Sequence, residues 1–231
     1  MAQIRSDLDF DELNKLVGYK RSLPIEQYFG EMGISTKQKR RRIAMASDLE
    51  DEIVYVLAFL FENREKISEY AISEFENAIT RVFARHNVYV SANSSQNSAE
   101  NEEELAKQTV SYGNAVAHKL ATQLADSTLR HQNEMYFFSK DRARYIAEEE
   151  SNSAWNEADF AEEYENGSRF KTWASMGDNK VRESHRAVDG LTIPIDQPFE
   201  LEGGLMMYPR DDSLGASDEE INGCRCWLEF S

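Results

Sequence analysis

Two cysteines, Cys224 and Cys226, stand two apart near the end of the chain, and His185 and Arg182 lie upstream of them. These residue types can do two kinds of chemistry. A thiolate pair with an imidazole supplies three soft ligands for zinc, with Asp178 or Asp189 as a fourth. A thiol beside a histidine can also act as nucleophile and base, and Arg182 with His185 could stabilise charge and move a proton in phosphodiester cleavage. The plain alternative is two small thiols packed in a core strand beside a hydrogen-bonded histidine. Zinc is the one cofactor these residues point to. A Gly-rich nucleophile elbow, a P-loop and a metal-carboxylate motif are all missing from the sequence. The expectation is therefore a chain that is not an enzyme. The alternative is a nuclease or transferase using Arg182, His185 and the cysteines.

The elements that must position these residues form a small α+β unit. Phe170–Trp173 reads as a strand, and residues 179–188 as a short helix capped by Asp178 and stopped by Asp189-Gly190. Segments 191–195, 204–208 and 224–230 read as strands between prolines and glycines. Residues 217–221 read as one helical turn. On a short helix Arg182 and His185, three apart, share a face. In a strand Cys224 and Cys226 point the same way. An Asp178–Arg182 ion pair is expected inside the unit. Trp155, Trp173 and Trp227 are expected as core anchors. His86, His118 and His131 are expected as isolated surface or half-buried side chains.

Upstream the pattern is helical. Ser47-Asp48-Leu49-Glu50 has the form of a capping box. A stripe at three- and four-residue steps follows from Leu49 to Val82, with a break near Asn63 and Arg64. The polar run 91–101 reads as a loop. Leu105, Thr109, Tyr112, Val116, Leu120 and Leu124 mark a second stripe, which should pack antiparallel to the first. Ser139 reads as the cap of a third long helix, about 140–165, stopped by Asn166-Gly167. Before residue 47, Phe10, Leu13 and Leu16 suggest a short helix, and Pro24, Gly30 and Gly33 break any longer one. The division expected is an arm over 1–46, a helical hairpin over 47–138 and a carboxy-terminal module over 139–231. The fold class is α+β, long helices first and a small mixed module after.

With 231 residues and a net charge of -16, the chain can bury a core, and its surface is acidic. Residues 1–47 hold 9 Lys/Arg against 6 Asp/Glu, residues 48–150 hold 10 against 19, and residues 151–231 hold 7 against 17. Such a body repels phosphate backbones. The one candidate nucleic-acid contact is the run at 37–42, with Lys37, Lys39, Arg40, Arg41 and Arg42; its other reading is a solvated helix end. The longest apolar run, Ile53–Phe61, is too short to span a membrane. The amino terminus lacks the apolar core of a secretory signal. A Cys224–Cys226 bond would close a very small ring, so reduced thiols are expected.

These residues together resemble a known family. Arg142-Ala143-Arg144-Tyr145-Ile146-Ala147, then Glu150, Asn156, Gly167, Lys171 and Trp173, are similar to the helix that opens the Mu F-like domain of tailed phages. Asp178, Val181, Arg182, His185, Asp189 and Gly190 resemble its central motif. Phe199, Gly204, Pro209 and the run Asn222-Gly223-Cys224-Arg225-Cys226 complete it. Two departures stand out. The family usually ends N-C-R-C, and here Gly223 intervenes. Glu148-Glu149 stand where a basic or polar residue is commoner, read as a change on the surface. The resemblance implies a minor capsid protein of head morphogenesis, present in few copies inside the capsid. It implies portal association and roles in head assembly and DNA delivery. The partners implied are the portal protein and capsid or scaffold proteins, with DNA contact limited to 37–42 and no membrane. The locations implied are the capsid interior of the virion and, during assembly, the host cytoplasm.

Overall fold

A computed structural model describes residues 24–62, 67–86, 114–123 and 134–231. The expected helix around Phe10, Leu13 and Leu16, the 91–101 loop, most of the second stripe and His131 lie outside the described residues.

The helices come first. They are α1 (Ile25–Gly30), α2 (Thr36–Glu62), α3 (Glu69–His86), α4 (residues 114–123), α5 (Glu134–Phe137) and α6 (Lys140–Glu165). The start of α2 differs from the expectation. Ser47–Glu50 lies in mid-helix, and the working capping box is Ser35–Gln38. Ser35 Oγ accepts from the Gln38 N–H at 3.3 Å, and Gln38 Oε1 accepts from the Ser35 N–H at 3.0 Å. Residues 36–46 are rich in Lys, Arg, Ala and Met, good helix formers with no breaker, so the helix extends backward through them. The expected boundary at 46/47 thus falls inside one helix.

Asp48 and Glu50 are consequently free to make tertiary contacts. Asp48 Oδ2 lies 2.8 Å from His86 Nε2 and 3.0 Å from Arg85 Nη1, joining α2 to α3. Although partial burial works against its charge, His86 and Arg85 hold the Asp48 carboxyl below its ordinary range. Glu50 accepts two bonds from Arg144 of α6, at 3.0 and 3.2 Å. One large apolar core joins α1 to α6 through Phe29, Met45, Leu49, Ile53, Phe75, Val82, Leu120 and Phe138.

The helix α6 matches its expected span, with the Arg142 N–H donating to Ser139 Oγ at 3.1 Å. It stands between two cores. Ala143, Ala147, Ala154 and Trp155 face the helical layer. Asn152, Asn156 and Phe160 face the module that follows.

That module holds β1 (Phe170–Ala174), α7 (Glu183–Ala187), β2 (Thr192–Pro194), β3 (Phe199–Leu201), β4 (Gly204–Met206), α8 (Asp218–Ile221) and β5 (Trp227–Phe230). An antiparallel sheet runs β2-β1-β5, with Lys171 opposite Ile193 and Trp173 opposite Leu228. β3 and β4 form a separate hairpin. A second, small core gathers Trp173, Val188, Phe199, Met206, Cys224, Cys226 and Leu228. The architecture is α+β, as expected. Among the described residues, no helix is long and apolar enough to cross a membrane.

Candidate functional site

Trp173 is fully buried at the centre of β1, and its ring meets the rings of His185 (5.3 Å between centroids) and Phe199 (5.1 Å) edge to face. After β1 the chain passes through α7 and must then turn back into β2. Gly190 does this at φ +77°, in the left-handed region that suits glycine, and its N–H donates to the Trp173 carbonyl at 2.8 Å. Asp189 secures the same turn, with Oδ1 accepting from the Ser175 N–H at 2.8 Å.

The helix α7 is shorter than expected, beginning at Glu183 with Arg182 as its cap residue. Residues 178–181 form a turn instead, closed by the Lys180 N–H on Asp178 Oδ1 at 2.9 Å. Arg182 and His185 both face the 222–226 segment. Arg182 Nη2 donates to the Asn222 carbonyl. The expected Asp178–Arg182 pair does not form. Asp178 binds Arg225 instead, at 2.6 and 2.8 Å from Nη2 to its two oxygens, and this cation holds the Asp178 carboxyl below its ordinary range.

Cys224 and Cys226 precede β5, in an irregular stretch where a strand was expected. Gly223 takes φ +72° and bends the chain, so strand geometry starts only at Trp227. The thiols still face the same histidine. His185 Nδ1 lies 3.5 Å from each sulfur. All three side chains are buried, His185 and Cys224 at 1% exposure and Cys226 at 3%. Polar groups of α6 fix the segment from behind: Asn152 Nδ2 donates to the Cys224 carbonyl at 3.4 Å and Asn156 Nδ2 to the Cys226 carbonyl at 3.0 Å.

The other ring nitrogen faces a carboxylate that sequence reasoning missed. His185 Nε2 lies 2.9 Å from Glu220 Oε2, in an approach oblique to the N–H direction. Glu220 is fixed by Ser184 Oγ at 2.8 Å and by the Gly203 N–H at 3.0 Å. Its only sequence signal was its place three residues after the cap Ser217. Burial opposes charge on His185, but the bond to Cys224 and the charge of Glu220 outweigh it and raise the imidazole pKa. Burial also opposes a charged Cys224, yet Cys226 and His185 draw its thiol down. Cys226 goes up, because Cys224 takes the charge first and burial adds to the effect.

Two buried charged residues, Glu149 and Arg210, were also missed as functional. The pair on α6, Glu148-Glu149, is not a surface feature: exposures are 1% and 5%. Glu149 Oε2 accepts from Arg210 Nη1 and from the Gly223 N–H, both at 2.6 Å. Lys171 is buried as well. Its ammonium donates to the Met207 carbonyl at 2.7 Å over the Phe160 ring, and burial pulls its pKa down to about 8.

The basic run divides. Arg42 is fully buried, donating to Asn156 Oδ1 at 3.0 Å and Asp159 Oδ2 at 2.9 Å. Arg41 pairs with Asp159 and lies 4.2 Å from the centroid of the Trp155 ring. Lys39 donates to the Gly30 carbonyl at 2.8 Å and is partly covered. Lys37 and Arg40 face solvent. The outer histidines pair with carboxylates, His86 with Asp48 and His118 with Glu76 at 3.1 Å.

His185 is buried, with Nδ1 facing both sulfurs and Nε2 facing Glu220. Asp178 and Asp189, the expected fourth ligands, are bound elsewhere, and among the described residues the group able to hold a metal is His185, Cys224 and Cys226.

Residues 100–229 match the family described as Phage Mu protein F like protein, more than half of the chain. The chain belongs to that family. No curated protein and no solved structure is detectably similar to it. The Mu F-like match takes in α6, the whole Trp173–His185–Cys226 core and β5 up to Glu229. The family is one of phage head-morphogenesis proteins, which makes this a phage head protein whose partners are other head proteins.

Proposed function

We propose that this chain is a minor capsid protein bound to the portal on the inner side of the head, acting in head assembly and in DNA delivery. The observation that carries the reading is the Mu F-like match over residues 100–229. The build of the molecule supports it. The helix α6 packs into both cores and so ties the helical layer to the module, a build suited to a fixed place in a particle. The net charge of -16 favours contact with protein over contact with packaged DNA. In this reading DNA contact through 37–42 falls to Lys37, Lys39 and Arg40, since Arg41 and Arg42 bind Asp159.

The test is sedimentation of assembling heads from cells carrying a tagged copy of the chain. The protein is expected to run with the portal, and to stay with portal complexes that lack the major capsid protein. If it remains at the top of the gradient, with no portal beside it, the portal assignment fails.

A further inference from the structure

The Cys224–Cys226–His185 cluster has the dimensions of a metal site. A single ring nitrogen offers one in-plane proton or one lone pair, so it can bond well to only one thiol. Here Nδ1 stands 3.5 Å from both sulfurs, and the three atoms lie within 4.8 Å of one another. Bonds of about 2.3 Å to sulfur and about 2.0 Å to nitrogen around a tetrahedral zinc place nitrogen and sulfur about 3.5 Å apart. The two observed nitrogen–sulfur distances match that geometry before any ion is added. We propose that His185 Nδ1 and the thiolates of Cys224 and Cys226 bind one zinc ion, with water as the fourth ligand.

Three further observations support the site. Glu220 stands behind the imidazole at Nε2, the place where a carboxylate orients a metal-bound histidine and leaves Nδ1 free to coordinate. Glu220 is itself held by Ser184 and Gly203. A cavity of about 10 Å³, about the room one water needs, is lined by His185, Cys224, Cys226 and Arg182. The ligand segment is held in place from α6 by Asn152 and Asn156. Two thiolates also balance the charge of a divalent ion. The ion would staple α7 to the start of β5, closing the module's small core.

The experiment uses the full chain, made without a histidine tag, loaded with excess zinc, desalted and analysed for metal. One zinc per chain is expected. Cobalt in its place should give thiolate-to-metal charge-transfer absorption. The double variant Cys224→Ser/Cys226→Ser should lose both signals. Glu220→Gln, which leaves every ligand in place, should weaken zinc binding about 10–100-fold. A wild-type chain that stays zinc-free after loading overturns the proposal, and this result does not depend on any variant folding. Zinc retained by the double cysteine variant overturns it too, since the ion then lies elsewhere.

Discussion

The backbone N–H of Gly223 donates to Glu149 Oε2 at 2.6 Å. Gly223 and the Glu148-Glu149 pair are the two features that the sequence reading set apart, and they touch. Gly223, just before the first cysteine, brings a backbone N–H into a partly buried turn. A buried carboxylate on α6 accepts it. The same oxygen takes Arg210, whose own backbone sits at φ +76°, a conformation uncommon outside glycine. The carboxylate thus fastens the cysteine turn and a strained loop to one helix.

Gly223→Ala should destabilise the chain. At φ +72° an L side chain costs about 1–2 kcal/mol. A Cβ there would come no closer than 3.7 Å to any neighbour, the nearest being Arg182 Nη2, so the whole effect comes from the backbone. Gly223→Asn should cost less, since asparagine tolerates this region. Urea denaturation of the three chains measures it; an alanine variant as stable as the wild type would show that the turn relaxes freely.

Arg42 is expected to behave as a core residue. Arg42→Met removes a buried cation from Asn156 and Asp159 and should cost about 3 kcal/mol. Lys37→Ala and Arg40→Ala, at exposed positions, should stay within about 0.5 kcal/mol of wild type. Calorimetric melting separates these outcomes. Three equal, small effects would mean that the run is a solvated helix face throughout.

Sequence made some of this legible and hid the rest for physical reasons. Helix α6 was readable to its ends because Ser139 and Asn166-Gly167 are local signals, set by backbone chemistry within one turn. The strand around Trp173 and the turn at Gly190 were readable for the same reason. The start of α2 was misread because Ser35-x-x-Gln38 and Ser47-x-x-Glu50 have the same form. The breaker-free helix formers of 36–46 decide for the first, and Asp48 and Glu50 take tertiary partners in α3 and α6. The partner of Asp178 was misassigned because ion pairing follows space, and Arg225 is distant in sequence. Arg210 carries no sequence pattern and Glu220 only its place three residues after Ser217, since their roles arise only once α8 and the loop before it pack on α7 and α6.

Glu157 should make stability fall as pH rises. Burial pushes its carboxyl up from an ordinary 4.5 to about 7; the Tyr208 hydroxyl works against this, while the charges of Asp211 and Asp212 add to it. In the unfolded chain the proton leaves near 4.5, whereas the folded chain keeps it until about 7. Between those values the folded state binds more protons, so stability drops with rising pH by up to about 1.4 kcal/mol per unit. The loss is complete above about pH 7, and solvent around this half-buried group reduces it to on the order of 1–3 kcal/mol. Glu157→Gln copies the protonated form and escapes the loss. Its thermal midpoint should match wild type at pH 4.5 and exceed it at pH 8. The variant-to-wild-type difference cancels every other titrating group, so equal differences at the two pH values would show that Glu157 ionises without cost in the folded chain.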